Sequence, residues 1–294
     1  MKIKSTEDRI VDALAALIVA FYAICCLYPI VYCLSMSLSD DAAIVKHSVW
    51  LWPEGFNLES YKLVLEYDGF LNSFKNAVVY TVLGTIASLF CNLTLGYVLS
   101  RRNFVFKKFL TVYILIPMMF SGGLIPSFLL IKSLGLYNTI WALIIPGAVS
   151  VWNAILAKTF YQSTIPNEVV ESAVLDGASD ISILVRIVLP LSTTIIAILA
   201  LYAAVGIWND YFNALIYLKD EALKPLQVLL KEVLSVTGSS ISDLMSSEDY
   251  LKNYVNGERI KYVLIIVSCL PIMLVYPSIQ KYFVKGVMLG SVKG

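Results

Sequence analysis

An all-α, polytopic membrane protein with six transmembrane helices is the fold class this sequence predicts, and three observations carry that expectation. Of its 294 residues 59% are hydrophobic and 15% charged, with a mean hydropathy of +0.77, too apolar for an ordinary soluble domain. The apolar residues gather into runs at about 13–38, 74–100, 109–131, 139–161, 191–218 and 260–282, each long enough for the roughly 20 residues that a bilayer-crossing helix needs. Lys and Arg concentrate in short segments on one side of this pattern, and acids crowd the other. A net charge of +1 gives no reason to expect nucleic acid as a partner. Cys25, Cys26, Cys33, Cys91 and Cys269 sit inside apolar runs, where a thiol acts as a small hydrophobe, and none has metal-ligand spacing.

The first run follows a basic start and outlasts a signal-peptide core without a small-x-small cleavage site, so it reads as an uncleaved span. Residues 39–73 turn polar and form the first external loop, with Trp50 and Trp52 suited to an interfacial belt and Leu58, Tyr61, Val64 and Leu65 marking one amphipathic helix. The turn RRNFVFKK separates spans two and three and should face the cytoplasm. Pro117, Gly122, Gly123 and Pro126 interrupt the third span, and Pro146-Gly147 the fourth. Such breakers are tolerated in a membrane only where neighbours or a cavity satisfy the freed backbone. The fifth span carries Trp208, Asn209, Asp210 and Asn213 towards its external end. These are either a polar wall on a solute path or a buried network holding helices together. Residues 219–259 form a long external insertion, with an apolar helical face at Leu226, Leu229, Leu230, Val233 and Leu234, expected to meet an extracellular partner.

Between spans four and five, residues 165–190 read IPNEVVESAVLDGASDISILVRIVLP, two short helices joined by a turn. Pro166 suits a first helical turn, Ser163 or Thr164 a cap, and Glu168 and Glu171 the positive end of the helix dipole. The helix should end at Asp176-Gly177, with Ser179 and Asp180 capping a second helix. Ile181, Leu184, Val185, Val188 and Leu189 give that second helix one apolar stripe, and Pro190 is expected to bend the chain into the next span.

Glu171-Ser172-Ala173, Asp176-Gly177-Ala178, and then Ile187, Leu189 and Pro190 resemble the "EAA" loop of the membrane subunits of binding-protein-dependent type I ABC importers. Ser172 stands where that family usually has alanine, Leu184 where an aromatic is common, and Thr194 where a further proline often sits. The resemblance extends from WPEGFNLESYK in the first loop to the C-terminal VKGVMLGSVKG and is nearest to the carbohydrate, maltose-type branch. It implies a single permease domain over 1–294, paired with a second homologous permease and two ATPase subunits and fed by an extracellular solute-binding protein. It also implies that the nine loop residues named above couple the permease to the ATPase, and that ATP and Mg sit on the ATPase subunits.

Several features agree without the resemblance. Lys2, Lys4, Arg9, Arg101, Arg102, Lys107, Lys108, Lys158, Arg186, Lys281, Lys285 and Lys293 all fall on the proposed inner side, which makes both termini cytoplasmic. No G-x-x-x-x-G-K-[ST] phosphate loop occurs, so the chain is expected to bind no cofactor itself. His47, the only histidine, lacks a triad or metal partner and reads as a surface residue; no catalytic and no metal residue is expected. The resemblance implies a permease subunit in the plasma membrane of a prokaryote, importing a sugar or oligosaccharide. The rival reading is a stand-alone secondary transporter or channel, for which Asp210 would be almost the only intramembrane acid.

Overall fold

The computed structural model describes residues 6–46, 48–238 and 247–291. His47, Lys2, Lys4, Lys293 and the middle of the 219–259 insertion lie outside the described residues. Every element among them is helical: α1 (Thr6–Ser37), α2 (Asp41–Lys46), α3 (Glu59–Glu66), α4 (Phe70–Ser100), α5 (Lys107–Met119), α6 (Leu124–Ser133), α7 (Trp141–Gly147), α8 (Val151–Thr164), α9 (Asn167–Leu175), α10 (Asp180–Ile183), α11 (Leu189–Leu191), α12 (Thr193–Trp208), α13 (Phe212–Tyr217), α14 (Leu226–Gly238) and α15 (Ser247–Ser291). A π-helical turn at Leu184–Val188 joins α10 to α11, and a 3-10 turn at Glu221–Leu223 precedes α14.

Three stretches are long and apolar enough to cross a bilayer unaided: Arg9–Ser37, Phe70–Ser100 and Val255–Ser278. Three further candidates are bent pairs: α5 with α6 by 118°, α7 with α8 by 44°, and Asp180–Leu191 with α12 by 86°. The third run is therefore not one continuous span, because the chain leaves the helix at Phe120 and Gly123 takes a φ of +82° before α6 begins. The fifth run is also broken, at Ser192 and again at Asn209–Tyr211. The bend expected at Pro190 falls at Ser192 instead, because Pro190 sits in the opening turn of α11, where its missing N–H costs little.

The described chain packs as two units, Met1–Phe70 with Leu230–Leu270 and Leu71–Leu229 with Pro271–Gly294. In the first, the loop that follows α1 hangs from the end of that helix through hydrogen bonds. Ser39 Oγ donates to Ser35 O (2.7 Å) and accepts from Glu54 N (3.1 Å), while Asn57 N donates to Leu38 O (2.8 Å). Met36, Ala43, Ile44, Val49 and Tyr262 form its buried cluster. The face of α3 agrees with the expected one at Val64, which is buried, and at Tyr61, whose Oη meets Ser37 Oγ (2.9 Å), but Ser60 is buried where Leu58 and Leu65 were expected, and those two are exposed. Arg259, buried in α15, pairs with Asp41 and with Glu59 (3.4 Å), and Lys261 pairs with Glu258. Trp50 and Trp52 are fully presented to the surroundings.

In the second unit α4 and α8 meet where Gly96 permits it. A Cβ on Gly96 would stand 2.6 Å from Ala157 Cβ and 3.0 Å from both Ala154 O and Lys158 N, so only glycine lets the two backbones approach this closely. One turn away, Asn92 is 1% exposed and completes the break between α7 and α8. Its Nδ2 donates to Ala148 O (3.1 Å) and Ser88 O (2.7 Å), and its Oδ1 accepts from Ser150 N (2.9 Å). Ser150 in turn caps α8, accepting from Asn153 N. At the other end of α4, Asn72 and Asn76 donate to Ala222 O and Tyr80 donates to Leu223 O (2.8 Å). Asn138, at φ 62°, accepts from Lys219 N and Asp220 N and donates to Asp220 Oδ2, which ties the turn after α6 to the one after α13.

Replacing Asn92 by Leu should remove the partner of the part-buried Ala148 carbonyl and Ser150 amide, at a cost for each towards the lower end of the roughly 1–3 kcal/mol of a fully buried group. Thermal unfolding of the purified chain should register a clear loss for Asn92→Leu. Asn209→Ala should be close to neutral, because Asn209 is exposed and its amide bonds only to Val205 O of its own helix (2.9 Å).

Candidate functional site

The loop between α8 and α12 is built from local rules. α9 begins after Pro166 without a side-chain cap, so neither Ser163 nor Thr164 serves that end as expected; Ser163 Oγ instead donates to Phe160 O of the preceding helix. At the other end the helix closes in a Schellman motif: Ala178 N donates to Ala173 O and Gly177 N to Val174 O, both at 3.0 Å, with Gly177 at φ +80°. Ser179 caps α10, accepting from Ser182 N at 3.3 Å.

The stripe expected on the second helix is displaced. Ile183 and Val188 are buried and Leu184, Ile187 and Leu189 pack beside them, but Ile181 is 75% exposed and Val185 is turned out as well. The π-turn accounts for Val185, which lies within it, since its wider turns rotate side chains away from α-helical register; Ile181 precedes it, in α10. These inward residues join Leu93 and Tyr97 of α4, Ala157 and Tyr161 of α8, and Ile195 and Leu199 of α12 in one cluster. Ala173 and Ala178 also pack on that cluster, each half-buried. Glu171, Ser172, Asp176, Gly177 and Pro190 are exposed, and Ser172 Oγ donates to Glu168 O of its own helix (2.8 Å). A Cβ added at Gly177 would meet nothing within 4 Å, so a side chain there would not press into the turn; only the backbone conformation resists it.

Val174 and Leu175, together with Ile181, which the stripe had placed inward, are exposed on the loop, with Leu175 88% exposed. Alternation of small and large residues in ESAVLDGASDI gives no sign of which face points out. The geometry of the closing turn decides it.

The four residues at the end of α12 separate into different roles. A cavity of about 510 Å³ is lined by Trp208, Asp210 and Asn213, together with Tyr80, Tyr202 and Tyr217, but not by Asn209. Trp208 is buried and meets Phe74 edge-on, ring centroids 6.2 Å apart. Asp210 accepts from Asn213 N (3.1 Å) and Asn213 Nδ2 (2.8 Å), so its carboxylate caps the first turn of α13. Asp210 is the one charged side chain among the residues that line this cavity. Ser88 and Ser150, the neighbours of the Asn92 clamp, line it too. Among the described residues no group of His, Cys, Asp and Glu is arranged to hold a metal ion.

Residues 92–289 match the family model described as "Binding-protein-dependent transport system inner membrane component". Protein LplC of Bacillus subtilis (strain 168) is 42% identical over 268 residues, covering 90% of this chain and 89% of the relative. A polygalacturonan/rhamnogalacturonan transport system permease protein, YtcP, of the same organism is 38% identical, covering 98% and 100%. Among solved structures, a chain of a bacterial ABC transporter involved in the import of the acidic polysaccharide alginate superposes with a TM-score of 0.85 at 33% identity, covering 96% of this chain and 100% of that one. The family match spans the loop of α9 to α11, most of the cavity lining and most of the helices described above, and the chain belongs to the family of inner membrane components of binding-protein-dependent transport systems.

Proposed function

We propose that the chain is one of two permease subunits of a type I ABC importer, that it lines half of the solute path with the cavity beside Trp208, Asp210 and Asn213, and that α9 to α11 couple it to an ATPase. The observation that carries this reading is the loop itself. It is anchored from within by Ile183 and Val188, closed by the Gly177 turn, and it holds Val174, Leu175 and Ile181 outward as an apolar surface with Glu171 beside them. Exposed apolar side chains grouped on a short rigid element are suited to a protein groove.

Six spans follow if each bent pair counts as one crossing. The basic turn after α4 lies beside this loop, since Arg101 and Arg102 share a cavity wall with Asn167 and Val170 of α9. A Lys/Arg-rich short turn favours the cytoplasmic side, which puts α9, both termini and the ATPase subunits there, in the plasma membrane of a prokaryote. ATP and Mg would then be held by two partner ATPases, and an extracellular solute-binding protein would deliver solute from the opposite face.

An oligosaccharide is the solute class this reading favours. The relatives include YtcP and a melibiose/raffinose/stachyose import permease of Bacillus subtilis. The cavity offers Tyr80, Tyr202, Tyr217 and Trp208 as aromatic faces and Ser127, Asn153 and Asn213 as polar groups, the mixture a sugar ring requires.

Three outcomes test the reading. Gly177→Val forces a branched side chain into the left-handed region, at about 1–2 kcal/mol, which displaces the turn equilibrium roughly fivefold to thirtyfold. Solute uptake should fall or ATPase subunits should be lost from the purified complex, with Glu171→Ala showing the same defect more weakly; full retention of both in each variant would remove the coupling role. For the cavity, Asp210→Asn keeps an acceptor for Asn213 N and should retain most transport, whereas Asp210→Leu removes the cap, worth about 1 kcal/mol, and should lower it. Transport abolished by Asp210→Asn in an assembled, ATP-hydrolysing complex would require a charge-specific role instead. Finally, a Gly/Ser linker in place of residues 239–246 should reduce stimulation of ATP hydrolysis by the solute-binding protein while the complex stays assembled, and unchanged stimulation would place that partner elsewhere.

A further inference from the structure

We propose that a second cavity, of about 130 Å³ between the last turn of α4, α8 and the start of α9, is a binding site for a phosphate-bearing anion. Its walls supply hydrogen-bond donors that the chain itself leaves unused. Tyr161 is 3% exposed and lines the cavity, and its hydroxyl has no hydrogen-bond partner. Arg101 lines it too, stacked over the Tyr97 ring at 4.2 Å, with its Nε buried and unpartnered. Arg102 adds a second guanidinium to the wall. Asn167, the first residue of the nine-residue helix α9, completes it, and that helix start has no side-chain cap.

The charge around the cavity is one-sided. Lys158 and Arg102 stand close enough to Lys107 for their charges to act on it. No carboxylate lines the cavity: Asp180 acts electrostatically on Tyr97 from outside the wall, and Glu168 and Glu171 are exposed on α9. A water molecule would satisfy the Tyr161 hydroxyl but would not balance these cations. A phosphate group answers both needs, with several acceptor oxygens for the guanidiniums, the hydroxyl and the uncapped helix start. Two sources share that chemistry: an anionic phospholipid headgroup at the membrane boundary, and a soluble phosphate or phosphate ester.

Occupancy would bridge the end of α4 to the start of α9 and hold the two together. An effect on ATPase coupling rests on the role given to α9 above, whereas the binding itself does not, so the test reads binding. The assembled importer would be placed in phosphatidylcholine nanodiscs and titrated with inorganic phosphate against chloride of equal ionic strength. In parallel, phosphatidylglycerol would replace part of the lipid. Either phosphate or phosphatidylglycerol should raise the unfolding temperature of the permease by roughly 2–4 °C over its control. A response to inorganic phosphate assigns a soluble ligand, and a response to phosphatidylglycerol alone assigns the lipid. Tyr161→Phe, which removes only the hydroxyl, and Arg102→Gln should each cut the shift by at least half. Equal shifts in wild type and both variants would overturn the site, as would no shift in either arm, the result expected if a side chain of the ATPase already fills the cavity.

Discussion

Everything in the larger packing unit depends on satisfying backbone groups at helix breaks where water is scarce. Asn92 does this for the break after α7, accepting one amide and donating to one carbonyl while its own helix takes up the rest of its amide. The break can be buried because a neighbouring helix completes it. Asp210 and Asn138 repeat the solution at the ends of α12 and α6, each with a short polar side chain that stands in for missing helical bonds. The breaks are what make the cavity possible. Pro146, Gly147 and Ser150 at one of them, and Trp208, Asp210 and Asn213 at another, all face it.

The loop of α9 to α11 follows a different economy. Local backbone chemistry shapes it, and a buried cluster shared with α4, α8 and α12 holds it from one side. Its other side is left apolar and open. Ile183 and Val188 are packed among residues of α4, α8 and α12, so the loop shares one close-packed core with helices that bound the cavity.

What the sequence disclosed and what it withheld divide along the same line. The Gly177 turn and the Ser179 cap were readable because both are fixed by residues within a few positions of each other. Apolar run lengths foretold where membrane-compatible helices lie, since that depends on composition alone. The Asn92 clamp was not readable, because its partners are more than fifty positions away and only the fold brings them together. Ile181 and Val185 were assigned inward on a 3.6-residue period that the π-turn interrupts. Leu58 and Leu65 were assigned inward with Val64 for their hydrophobicity, but only Val64 is buried, and Ser60 takes the place beside it. Trp208, Asp210 and Asn213 were legible as a polar interruption, but Asn209 could not be separated from them before the cavity was seen.

The paired charges near the start of α15 settle something that hydrophobicity leaves open. The apolar stretch Val255–Ser278 of α15 is about 36 Å long at 1.5 Å per residue, a little more than a hydrocarbon core of about 30 Å, so apolar contact alone leaves the depth of the helix open by about one turn. Arg259, engaged by Asp41 and Glu59 of another segment, removes that freedom, while the Lys261–Glu258 pair lies within the helix and moves with it. Sliding inward would drag ions into hydrocarbon, and sliding outward would tear Arg259 from carboxylates carried by another segment. These ion pairs therefore act as a depth stop, setting how far the last helix sinks into the membrane.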